Sequence, residues 1–300
     1  MIKNILRKII NLYFLSYKIF LLINFNILSS INYRFTEGII STTSTFLNNL
    51  KKKVIHKNSK IKNLEINFFT PSQICFMRAN TFSTKEPETL LWIEEFGGKT
   101  GVLYDIGANV GLYSIYHSLL NKGKSYAFEP SFFNLKQLVK NIYENNCQSE
   151  IVIIPNPLSS TNKIENFLYG SIEEGGALSA FGVEYGFDGN KIEKVIASKV
   201  VGFSLDYLIS SKLVNETPDL LKIDVDGIEH IILKGAVETI SSKKLKSILI
   251  EVNSDFIEQE SEVHKILNKC GFKLRKKYIS ELLTESSKFK NIGNEIWVKQ

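Results

Sequence analysis

Val102-Leu-Tyr-Asp105-Ile-Gly107-Ala108-Asn109-Val-Gly111-Leu-Tyr-Ser-Ile is the stretch that decides the fold. Val102 to Ile106 are mostly apolar, as a strand covered on both faces must be. Gly107 and Gly111 break the run and allow a sharp turn where a Cβ would collide with a ligand. The residues that follow read as a helix, whose unpaired N–H groups point at the crevice beyond the strand tip. Asp105 sits at that tip. A carboxylate there repels phosphate and accepts hydrogen bonds from an amine or from hydroxyls. The spacing is D-x-G-x-N-x-G, unlike the dinucleotide fingerprint G-x-G-x-x-G. The bland alternative is a tight turn in some other α/β protein.

A second acid sharpens the reading. Ser125-Tyr-Ala-Phe-Glu129-Pro130 reads as the next strand, with Glu129 about 20 residues past the glycine turn, where an acid grips ribose hydroxyls. The competing reading is a solvated Glu at a strand end. Pro130 ends the strand and starts a helix over 131–146. The loop as a whole resembles the S-adenosylmethionine loop of class I methyltransferases.

Strand 102–106, helix 111–121, strand 125–129, helix 131–146 and strand 151–155 alternate. This predicts an α/β, doubly wound parallel sheet with helices on both faces. Upstream, Leu64–Phe69 and Gln73–Met77 read as short strands around Pro71. A helix then begins with Thr84 as cap and stops near Gly97-Gly98. From 157 to 218 the alternation breaks. Glu173-Glu-Gly-Gly and Tyr185-Gly-Phe-Asp-Gly-Asn are turn-rich, Lys194–Phe203 reads as a strand, and Ser204 caps a short helix. So long an interruption predicts an acceptor-binding region. The core resumes at Leu220-Leu-Lys222-Ile-Asp224-Val-Asp226-Gly227 with a helix to about Ile240. A strand over 246–253, a helix over 256–270 and a terminal strand pair follow. The expected domains are an amino-terminal segment, 1–60, and a catalytic domain, 61–300.

Ligands of an open α/β sheet bind beyond the carboxyl ends of its strands. Asp105, Glu129, Asn156, Asp224, Asp226, Glu251 and Asn253 all fall at such ends. Asp105 and Glu129 are assigned to the cofactor, and Asp224, Asp226 and Glu251 to the place where an acceptor docks. A hydroxyl acceptor must lose a proton, so Asp224 or Asp226 can serve as base, with His230 as a less favoured candidate. Asp224, Asp226, Glu251 and Asn253 alternatively offer an oxygen-only set for a divalent metal such as magnesium, a secondary reading.

The chain has 300 residues and a net charge of +6, with 44% hydrophobic and 23% charged residues. That fits a folded globular protein and not a dedicated nucleic-acid binder. Cys75, Cys147 and Cys270 are odd in number and far apart, so no disulfide framework or zinc site is expected, and a reducing, cytoplasmic compartment is. Residues 9–31 are unusually apolar, approaching the ~20 residues needed to span a bilayer. Lys18 and three asparagines interrupt them. An interfacial helix touching a membrane surface, a packing helix and a membrane anchor all stay open, and residues 36–50 read as a connector. The oligomeric state has no signature.

Tyr104-Asp-Ile-Gly-Ala-Asn-Val-Gly-Leu-Tyr-Ser, Phe128-Glu-Pro-Ser, Lys222-Ile-Asp-Val-Asp-Gly-Ile-Glu and Glu251-Val-Asn together resemble the FkbM-type methyltransferases. The likeness covers roughly residues 70–300. It implies an S-adenosylmethionine-dependent O-methyltransferase acting on a hydroxyl of a saccharide, glycan or natural product. It also implies cofactor contacts from Asp105, Gly107, Ala108, Asn109, Gly111 and Glu129. Asn156 or Ser159 takes the place of an acid for the adenine amine. The family motif commonly has Glu where this chain has Asp226, one methylene shorter. Two other classes compete. One is an inactive, membrane-associated binding module with the same fold, against which the intact loop argues. The other is a nicotinamide-dependent oxidoreductase, disfavoured by the missing glycine fingerprint.

Overall fold

The computed structural model describes residues 33–58, 63–279 and 289–300, together with positions 12, 16, 19 and 23 singly. The apolar run 9–31 otherwise lies outside the described residues. Two compact units divide the chain, Met1–Leu50 and Lys51–Gln300. In the first, α1 spans Tyr33–Asn48, where the sequence reads as a connector. Its Ser and Thr residues lower helix propensity only slightly, and Ile40 and Leu47 fall on one helical face. Among the described residues, no helix is long and apolar enough to cross a membrane.

The second unit begins ten residues earlier than the sequence boundary implies, because β1 (Lys51–His56) pairs antiparallel with β2 (Leu64–Phe69). Then come α2 (Gln73–Asn80), α3 (Pro87–Phe96), β3 (Val102–Ile106), α4 (Leu112–Asn121), β4 (Lys124–Phe128), α5 (Phe132–Glu144) and β5 (Ile151–Ile154). The interruption holds β6 (Lys163–Tyr169), β7 (Ala180–Phe181), β8 (Ile196–Gly202) and α6 (Leu205–Ser210). The core closes with β9 (Leu220–Ile223), α7 (Glu229–Lys234), α8 (Val237–Ser241), β10 (Ser247–Asn253), α9 (Ile257–Lys269), β11 (Phe272–Ile279) and β12 (Ile292–Lys299).

Three local expectations change. Gln73–Met77 is part of a helix, because the Ser72 hydroxyl accepts the Cys75 N–H at 3.0 Å and caps it. A short apolar run fits either element, and the cap decides. Thr84 caps nothing; its hydroxyl donates to the Thr81 carbonyl. Pro87 sets the start of α3, since the residue before a proline is pushed out of the helical region. The single helix expected after Gly227 is two. Asp206 reaches across to accept the Glu238 and Thr239 N–H groups, capping α8 separately.

Seven strands form one sheet in the order β11-β12-β10-β9-β3-β4-β5. Strands β10, β9, β3, β4 and β5 are parallel, while β12 runs against both its neighbours. With helices on both faces, this is a doubly wound, Rossmann-like sheet with an antiparallel strand, β12, towards one edge. Val102, Tyr104 and Ile106 join one buried cluster with Leu221, Ile223 and Ile232. Leu103 joins the other with Leu90, Ile93, Ile115 and Tyr116. That alternation is what a strand between two helical layers requires. The chain reverses direction across the sheet between β3 and β9, and a crevice opens there. A smaller sheet, β7-β6-β8, stands over it.

Candidate active site

The turn after β3 is built from left-handed residues: Gly107 at φ 84°, Asn109 at 52° and Gly111 at 88°. The glycine at 107 is needed against the protein itself. A Cβ there would meet the Asp224 carbonyl oxygen at 1.9 Å. The loops after β3 and β9 are thereby pressed together at the switch point, and two clefts open on either side.

The smaller cleft has about 610 Å³ of empty space and is lined by Gly107, Asn109, Glu129, Asn134, Asn156 and Phe181, among others. Glu129 is buried. Its Oε2 accepts the Asn109 N–H at 2.8 Å and its Oε1 the Ser131 N–H at 2.8 Å. Burial still outweighs these bonds and pushes its carboxyl up to about 7. Asn156 donates to the Val201 carbonyl at 3.0 Å, tying the end of β5 to β8. Ser159 lies deeper and does not line the cleft.

The larger cleft, about 1210 Å³, carries Arg78, Lys85, Glu86, Tyr113, Lys222, Asp224, Asp226 and Glu251, with Phe82, Phe187 and Phe289 as aromatic walls. Gly107, Asn109, Ala177, Asp224 and Asp226 line both clefts. Lys222 is buried, 2.9 Å from Asp224 and 3.9 Å from Asp105. Burial opposes its charge, but those acids and Glu86 hold its pKa above the ordinary value. Glu86 is itself kept low, at about 2: burial works against it and is beaten by Lys85 and Lys222. Asp226 takes a left-handed conformation, φ 62°, and accepts the Leu178 N–H at 2.7 Å. Burial and the Asp224 charge raise it to about 6. Glu251 accepts no hydrogen bond among the described residues. Burial, then Asp224, Asp226, Glu229 and Glu86, push its carboxyl well above the usual range.

Asp105 lines neither cleft. It is fully buried beneath the loop, where Oδ2 accepts both the backbone N–H and the hydroxyl of Ser114, bracing the start of α4. Gly111 also lines neither cleft, and Ala108 lines the larger one. His230 is buried with Nδ1 unpartnered among the described residues, its ring edge-on to Phe256 at 6.0 Å, and lines neither cleft. Asn253 is spent on its own turn and on the Phe187 carbonyl, which it holds at 2.9 Å. Among the described residues, the ligand atoms of three acids or histidines come within 4.8 Å of one another at Glu260, His264 and Glu295, not at Asp224, Asp226 and Glu251. Lys277 already pairs with Glu260 at 2.9 Å and Glu295 at 3.2 Å.

A strap from the interruption, Glu174–Leu178, crosses between the clefts. Ser72 and Cys75 donate to the Glu174 carbonyl, Arg78 to Gly175, and Asn109 and Asn134 to Gly176. Sequence reasoning missed this strap and missed Arg78, Lys85, Glu86 and Lys222. Lys222 alone carried a signal, a cation inside an otherwise apolar strand.

Residues 105–274 match the family described as the methyltransferase FkbM domain. This chain belongs to the methyltransferase FkbM family. The solved structures similar to it include methyltransferase FkbM from Methylobacillus flagellatus KT, 15% identical, covering 66% of this chain and 43% of that one at a TM-score of 0.45. The FkbM chain described here thus spans less than half of that relative. Precorrin-6y C5,15-methyltransferase from Geobacter metallireducens GS-15 is 14% identical, with 72% and 87% covered and a TM-score of 0.39. An rRNA methylase from Streptococcus thermophilus is 11% identical, with 71% and 94% covered and a TM-score of 0.43. No curated protein matches the chain.

The methyl donor of an S-adenosylmethionine-dependent family fits this FkbM site on its own chemistry. Each Glu129 oxygen holds one N–H and keeps lone pairs for ribose hydroxyls. Asn109 Oδ1 is buried without a partner among the described residues and calls for a donor.

Proposed function

We propose that this FkbM methyltransferase methylates a hydroxyl of a saccharide, glycan or natural-product acceptor in the larger cleft. The observation that carries the reading is Glu251, a carboxylate with no hydrogen-bond partner among the described residues, lining that cleft beside Asp224 and Asp226. When bound, S-adenosylmethionine supplies an electrophilic methyl on a sulfonium. The residues supply the rest. Glu129 and Asn109 hold the ribose side, and Asn156 offers its amide to the adenine. Phe82, Phe187 and Phe289 give apolar faces on which a sugar ring can lie. As the acceptor oxygen bonds to the methyl, its proton passes to the Glu251 carboxylate. Lys222 pins Asp224 at 2.9 Å, so that acid is spoken for as an ion-pair partner.

The test follows labelled methyl from S-adenosylmethionine onto a panel of free and lipid-linked saccharides. Glu251→Gln is expected to lower kcat by roughly 10²–10⁴-fold, with S-adenosylhomocysteine affinity kept within about three-fold. Wild-type turnover by that variant, or label recovered on nitrogen, would end the reading.

A further inference from the structure

Five acids line the two clefts: Glu86, Glu129, Asp224, Asp226 and Glu251. Such walls suit the ammonium, sulfonium and hydroxyl groups of S-adenosylmethionine. They do not suit its α-carboxylate, which needs a cation of its own when taken out of water. Among the described residues, three cationic side chains line the clefts: Arg78, Lys85 and Lys222. Lys222 is buried and engaged by Asp224 and Asp105. Lys85 stands 2.6 Å from Glu86. The start of α4, the other natural seat for an anion, is closed by Asp105.

Arg78 differs. It is half-buried in the last turn of α2. Its Nε donates to the Gly175 carbonyl at 2.7 Å, and among the described residues no hydrogen bond or ion pair engages Nη1 or Nη2. The Nε bond fixes the guanidinium plane, so both Nη groups are offered together as a fork, the geometry that matches a carboxylate. Its charge is felt by Glu129 in one cleft and Asp226 at the junction, lowering the proton affinity of each. The guanidinium lines the larger cleft and is tied to the strap that runs between the two clefts.

We infer that Arg78 binds the α-carboxylate of the cofactor and so fixes the methionine half beside the acceptor cleft. The inference rests on the S-adenosylmethionine reading above. It is tested by calorimetric titration of the full chain with S-adenosylhomocysteine and with 5′-methylthioadenosine. The two share adenosine and a thioether, and the second lacks the amino-acid end. Arg78→Gln is expected to weaken S-adenosylhomocysteine by about ten- to a hundred-fold and to leave 5′-methylthioadenosine within about three-fold. Arg78→Lys, which keeps the charge but not the fork, is expected to fall between. It carries the test alone if Arg78→Gln does not fold, again with the larger loss on S-adenosylhomocysteine. Equal losses on both ligands would reduce Arg78 to a brace for the strap at Gly175. Unchanged S-adenosylhomocysteine affinity would remove it from the cofactor altogether. Either result overturns the inference. Failure of the wild type to bind either ligand would instead overturn the cofactor reading on which it stands.

Discussion

Glu129 keeps each of its carboxylate oxygens on a backbone N–H, one from Asn109 and one from Ser131, and is almost out of water. Because burial lifts its carboxyl from 4.5 to about 7, folding favours the protonated form. Its stabilising share is complete below about 4.5 and is lost as pH rises through about 7. A neutral isostere escapes that loss. The Glu129→Gln variant should therefore gain on the wild type by roughly 3 kcal/mol between pH 4.5 and 8, read from urea melts of the ligand-free protein. A gap independent of pH would mean that the carboxylate is solvated. The acids were legible in the sequence, but their directions were only partly so. Glu129, Asp226 and Glu251 reach the clefts, whereas Asp105, one strand residue past Tyr104, alternates to the α4 face and meets Ser114. Arg78 was illegible for a different reason. Its role depends on which loop crosses it in space.

At the scale of elements, long alternating runs read correctly and short apolar ones did not. β3, α4, β4 and α5 stand within two residues of their expected bounds, because buried strands and amphipathic helices impose different periods. α2 was misread since Gln73–Met77 is too short to show a period. Side chains also do work that no period reveals. The outer N–H of Phe69 in β2 is taken by Asn141 Oδ1 of α5 at 2.8 Å, and the Asn141 amide donates to the Val110 carbonyl at 2.8 Å. Asn145 does the same for Asn67, donating to its carbonyl at 2.7 Å and accepting its N–H at 2.9 Å. The open edge of the β1–β2 pair is closed by amides, which also keeps it from templating another chain. Asn141→Ala leaves a buried N–H and a buried carbonyl unsatisfied, a cost of about 2–4 kcal/mol. In a domain of this size the melting temperature should fall by roughly 5–15 °C. A fall under about 2 °C would mean that water replaces the amide.

At the scale of the whole molecule, a doubly wound sheet with helices on both faces followed from strand–helix alternation. The boundary of the second unit did not, because β1 is a lysine-rich strand whose partner, β2, begins only at Leu64. His56 at its end packs edge-on to Phe82 at 5.7 Å and Tyr116 at 5.2 Å. A chain beginning at Lys51 should melt cooperatively and keep S-adenosylhomocysteine binding. One beginning at Ile61 should melt at least about 5 °C lower, having lost a strand and a core ring. Equal melting temperatures would restore the boundary at residue 60. The strap at Glu174–Leu178 has a consequence at this scale too. It belongs to the segment between β5 and β9, yet six side chains outside that segment hold it: Ser72, Cys75, Arg78, Asn109, Asn134 and Asp226. Residues 157–218 are therefore not an interchangeable cassette. A chimera that imported a different segment there to change what is recognised would also replace part of the wall of both clefts. Selectivity and cofactor retention would drift together unless the five strap residues were carried over unchanged.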